Sequence, residues 1–127
     1  MESTVSIDQF QEELQSWKHE LSSIKQEIRH FEHHLESMSS KNLPKDLLAQ
    51  VEHFQNSFIC QKEVIDKLRH DLPDSRHKVE NIFNNRHDRS GENGLRAHDL
   101  LRDRMDMFRR IYDEVKEHFT RFETDWM

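Results

Sequence analysis

Glycine and proline number two each in 127 residues, and there is one cysteine. So few turn formers exclude a β-sandwich or barrel, whose short strands need a turn every ~8–12 residues. They also exclude a Gly-rich phosphate loop and a nucleotide-binding βαβ unit. The lone Cys60 rules out an internal disulfide framework. No stretch approaches the roughly 18 apolar residues of a membrane span. The opening Met1-Glu2-Ser3-Thr4-Val5-Ser6 lacks the apolar core of a signal peptide. These absences place the chain in the cytoplasm, with no membrane partner. Hydrophobic residues are scarce too, at 33% against roughly 45–50% apolar in an average domain. Charged residues make up 35%, with 25 acidic and 19 basic side chains giving a net charge of −6. That balance lacks the basic footprint of a nucleic-acid or anionic-lipid binder. What remains, on the scale of one domain spanning residues 1–127, is a few long helices or disorder.

Periodicity excludes disorder. After Ile7 the apolar residues fall at Phe10, Leu14, Trp17, Leu21, Ile24, Ile28, Phe31, Leu35 and Met38. The alternating spacing of three and four is the a/d seam of a heptad helix. Ser6 and Gln9 form a capping box, with Val5 and Phe10 as a hydrophobic staple. The first helix is therefore expected over about 6–39, ending in the polar turn Ser40-Lys41-Asn42. A second seam runs Leu47, Val51, Phe54, Phe58, Gln61, Ile65, Leu68 and Leu72, opened by Pro44 in the first turn. Pro73 should kink or break this helix. The heptad phase survives it at Val79 and Ile82, which favours one long helix over about 44–86 kinked near residue 73, against a break with a short extra helix. Residues 84–94, holding both glycines, read as a polar loop. The third seam is Leu101, Met105, Phe108, Tyr112, Val115, Phe119, Phe122 and Trp126, predicting a helix over about 94–126.

Three heptad helices with short connections give an all-α, antiparallel up-down-up bundle with coiled-coil packing. The first and third helices then run parallel. Glu13, Glu20 and Glu27 recur at g of the first helix, and Arg102, Arg109 and Lys116 at e of the third. In parallel neighbours those rows face each other, selecting orientation at only about 0.2–1 kcal/mol per exposed pair. A parallel homodimer of the first helix competes, since Glu13–Lys18 and Glu20–Lys25 have g-to-e′ spacing. Its d positions, however, are Phe10, Trp17, Ile24, Phe31 and Met38, and such bulk suits the wider interior of three or more helices. With long helices, strict heptads and Trp17 at a core position, the chain resembles a spectrin-like three-helix repeat. The resemblance implies the architecture alone.

Ten histidines are the most unusual feature. Most fall off the a/d seams, where water is the expected neighbour. His98, at an a position, either lines the core or sits at the bundle's frayed end, the latter being favoured. Glu27, His30 and His34 share one helical face at i, i+3 and i+7, a weak metal-chelate pattern. A di-iron carboxylate bundle needs Glu-x-x-His on two helices plus two further glutamates pointing inward; the chain has one such motif, at g and c. No cofactor is expected. Histidine titrates near pH 6.5, and ten protons would carry the net charge from −6 to +4, so a metal- or pH-responsive protein is the alternative reading. Cys60 reads as a peripheral packing residue, and Gln61, the one polar residue within its seam, as shallow and reaching water. A narrow filled core offers no pocket for catalysis, so no enzyme is expected.

One pattern points to function. Leu100, Met107 and Ile111 stand off the third seam as a second apolar stripe, and Leu48, Val64 and Phe83 widen the second helix likewise. They form either a wider buried arc or an exposed ridge that binds a partner helix or pairs two copies. The expected function is a non-enzymatic interaction or assembly module acting through helix–helix contacts, with Leu100, Met107 and Ile111 as anchors.

Overall fold

The computed structural model describes residues 7–84 and 90–126, with side chains at 8–77 and 96–126. Val5, Ser6, residues 85–89 and the side chains of Val79, Ile82 and Phe83, which the sequence reading used, lie outside the described residues. Three helices follow in order: α1 (Ile7–Ser39), α2 (Lys45–Asn84) and α3 (Ser90–Trp126). Their lengths of 33, 40 and 37 residues correspond to rods of about 50, 60 and 55 Å. The described residues form an all-helical bundle of three helices, with α2 in contact with both α1 and α3.

Each boundary has a local cause. At the end of α1, Ser39 and Ser40 turn their hydroxyls back to the carbonyls of Glu36 and Ser37 at 2.9 and 2.8 Å, the former adding to the Ser40 amide that Glu36 accepts at 3.2 Å. The Pro44 carbonyl accepts from the Leu48 amide at 2.9 Å, so α2 begins where proline's missing N–H costs nothing. Helix α2 then continues without interruption through Pro73, which removes the reading of a break with an extra helix. The segment expected as a polar loop over 84–94 is helical at its described ends, with Asn84 in α2 and Ser90 to Gly94 in α3, which glycine permits since it weakens a helix by only about 1 kcal/mol relative to alanine.

Burial follows the seams. Leu21, Ile28, Leu35, Val51, Phe58, Ile65, Met105 and Phe119 have no accessible surface, each worth about 1.5–3 kcal/mol on leaving water. Trp17 is 4% exposed, inside the bundle as its bulk required. Towards the end of the bundle where α1 turns into α2, the core is aromatic. Phe31 meets Phe58 and Phe119 at centroid distances of 5.6 and 5.0 Å, and Phe54 meets Phe119 and Phe122 at 5.3 and 5.1 Å. Ile24, Phe31 and Val115 are only partly covered, although they stand on the seams.

Candidate functional site

The interface between α1 and α3 is a ladder of charged rungs. Glu13 accepts from Arg102 at 2.7 Å, Glu20 from Nε and Nη2 along one edge of the Arg109 guanidinium at 2.6 and 2.8 Å, and Glu27 from Lys116 at 3.1 Å. These are the three pairings expected for parallel helices with g facing e. The homodimer reading of α1 loses its basis here, since the same glutamates are engaged within the chain and Lys25 donates to Asp66 of α2 at 2.6 Å. A fourth rung continues the row with its polarity inverted. His34, from α1, is the base, and its Nδ1 donates to Glu123 of α3 at 2.7 Å. A carboxylate can only accept, so Nδ1 carries the proton. Further bonds tie α2 to its neighbours, Lys62 to Glu32 at 2.9 Å and Arg104 to Asp71 at 2.8 Å.

Two side chains of the α3 seam reinforce the rungs. Tyr112 donates its hydroxyl to Glu27, and burial, then that acceptor, pushes its phenol far above the ordinary tyrosine value. His98 is fully buried, correcting the expectation of a frayed end. Its ring stacks on Trp17 at 5.1 Å and meets Phe10 edge-on at 4.6 Å. Its Nε2 lies 2.5 Å from Glu13 Oε1, and its Nδ1 has no hydrogen-bond partner. Burial alone would raise the Glu13 carboxyl, but hydrogen bonds and charge from Arg102 and His98 outweigh it and hold Glu13 below the usual carboxylate range.

The weak metal pattern is divided by this ladder. Glu27 is occupied by Lys116 and Tyr112, and His34 by Glu123, while His30 lies 4.5 Å from the His34 ring centroid. Among the described residues no three histidine, cysteine, aspartate or glutamate side chains gather as a metal site. Cys60 is exposed, not a packing residue. Gln61 is buried at 7% exposure with Oε1 unpartnered, as is Ser75 Oγ, correcting the expectation that Gln61 reaches water.

The apolar stripe of α3 resolves the other way. Leu100, Met107 and Ile111 are 63%, 53% and 41% exposed, and Val64 of α2 is 41% exposed beside them. They belong to an open groove of about 800 Å³ between α2 and α3, with Gln61 and Ser75 among its lining. Sequence spacing alone could not separate a wider buried arc from an exposed ridge. The accessible surface makes it a ridge. Leu48 is likewise exposed, at 39%.

No described helix is long and apolar enough to cross a membrane. No protein-family model matches the chain, and no curated protein or solved structure matches it.

Proposed function

We propose that the protein is a non-enzymatic, cytoplasmic assembly module that works by helix–helix contact through the α2–α3 groove. The observation that carries this is the concentration of large exposed apolar side chains there. Leu100, Met107, Ile111 and Val64 are all more than two-fifths exposed on one groove, whereas α1 and α3 close their shared side with ion pairs. An apolar groove between two packed helices is a surface into which an amphipathic helix can lay its apolar face. The internal packing that supports the groove is of coiled-coil type, with α2 bent at Pro73; seam burial at alternating steps of three and four supports the first, and a proline inside the helix the second.

The test is Met107→Asp. Because Met107 is mostly exposed, the variant should unfold within about 0.5 kcal/mol of the wild type. Assembly, followed by native mass spectrometry, and capture of any helical partner should both be lost. A variant that retains both would show that the groove is not the working surface.

A further inference from the structure

Resting on that reading of the groove, we infer that its occupant is a second copy of this chain, docked by a two-fold axis with α3 antiparallel to α3 and Leu100 of each copy against Ile111 of the other. The stripe along the groove edge is Ala97, Leu100, Arg104, Met107 and Ile111, itself a heptad row with steps of three and four. Antiparallel rows pack in layers that alternate the two kinds of position. The register that joins the apolar anchors sets Leu100 against Ile111 and Met107 against the Arg104 stem of the second copy. The guanidinium of Arg104 is already held to the side by Asp71 at 2.8 Å.

Charge selects that register. The outer flank of the stripe is Arg96, Asp103, Arg110 and Glu117, all exposed. In the stated register Asp103 of each copy faces Arg110 of the other, and Arg96 faces Glu117, so every flanking pair is of opposite sign and occurs twice. Sliding one heptad in one direction sets Asp103 against Asp103 and Arg96 against Arg110. Sliding the other way sets Arg110 against Arg110 and Asp103 against Glu117. Both alternatives juxtapose like charges, which is costly at an interface. Because Asp71 meets Arg104 across the α2–α3 contact, the same axis crosses α2 near residue 70. Lys67 of each copy then lies between Asp71 and Asp74 of the other, again opposite in sign. The result is an isologous four-helix core made of α2 and α3 from both copies.

Sedimentation equilibrium and native mass spectrometry on the full chain test this by a charge swap. The wild type should sediment at twice 15.5 kDa. Asp103→Arg should weaken the dimer on the order of tenfold or more by placing arginine against Arg110 at two symmetric points. Combining it with Arg110→Asp should restore the wild-type constant. All these positions are exposed, and circular dichroism melting checks that each variant folds. A wild type that stays monomeric at high micromolar concentration overturns the proposal. So does a dimer that Met107→Asp leaves intact, which would also remove the groove as the working surface. A dimer broken by Met107→Asp but indifferent to the swap refutes this docking while leaving the groove's role standing.

Discussion

The Glu20–Arg109 rung allows a sharp energetic prediction, because its geometry differs from that of its neighbours. Arg109 grips both carboxylate oxygens, at 2.6 and 2.8 Å, and its third nitrogen is fixed by Asp106 at 2.8 Å. The two side chains are 34% and 31% exposed. Exposed pairs contribute about 0.2–1 kcal/mol, and a bidentate fork with pre-set orientation belongs at the upper end, near 1 kcal/mol. A double-mutant cycle of Glu20→Gln and Arg109→Gln, followed by urea unfolding, isolates that coupling. With a urea slope of about 1–3 kcal/mol per molar for a small protein, 1 kcal/mol moves the midpoint by roughly 0.3–1 M. The Glu27–Lys116 rung has one contact at 3.1 Å and more exposed ends, so its coupling should be about 0.3 kcal/mol. Arg109→Lys keeps the charge but loses the fork, and should surrender about half of the Glu20 coupling. Equal couplings at the two rungs, or a lysine as good as the arginine, would refute the claim that fork geometry sets the strength.

Two further predictions concern titration. Asp66 is held low by its hydrogen bond from Lys25, Asp71 by those from His70 and then Arg104, and Glu13 by Arg102 and His98 against its burial. Carboxyls whose folded values are depressed stabilise above their ordinary values and lose that contribution as pH falls through the folded ones; urea midpoints should therefore decline below about pH 4.5, less steeply in Glu13→Gln, and an unchanged slope in that variant would contradict the assignment. The chain has a single tyrosine, so phenolate absorbance reads Tyr112 alone. Its ionisation should be delayed beyond the ordinary value of 10 and coincide with alkaline unfolding, whereas a reversible titration near 10 in folded protein would mean that the bond to Glu27 is not made.

Much of this architecture is legible in heptads because the same periodicity governs burial and pairing. Phe10 through Met38 announce α1, and the rows Glu13, Glu20, Glu27 and Arg102, Arg109, Lys116 announce its parallel alignment with α3. The harder residues are polar groups at core positions. His98 sits at an a position near the start of its helix, where solvent is the usual neighbour; what holds it inside is Glu13, eighty-five positions earlier in the chain. Tyr112 and Glu27 share that offset, so extending the charged row by its seam neighbours would have found both. The fourth rung escaped because His34 and Glu123 reverse the sign pattern of the first three. Gln61 escaped for a different reason: a lone polar residue in an apolar seam is expected to reach out to water, and here it is largely covered at the floor of the α2–α3 groove. The exposure of Leu100, Met107 and Ile111 depends on how far neighbouring α2 wraps around α3, a matter of interhelical distance that no local spacing encodes.

That reversed rung also acts as a phase marker. A ladder of three identical acid–base steps would be degenerate, since α1 could advance by one heptad along α3 and still match Glu13 with Arg109 and Glu20 with Lys116. With His34 and Glu123 in place, the advanced alignment drives Glu27 into Glu123, and the retarded one sets His34 against Lys116. The asymmetric end thus converts a repetitive interface, which by itself fixes only direction, into one that fixes position as well.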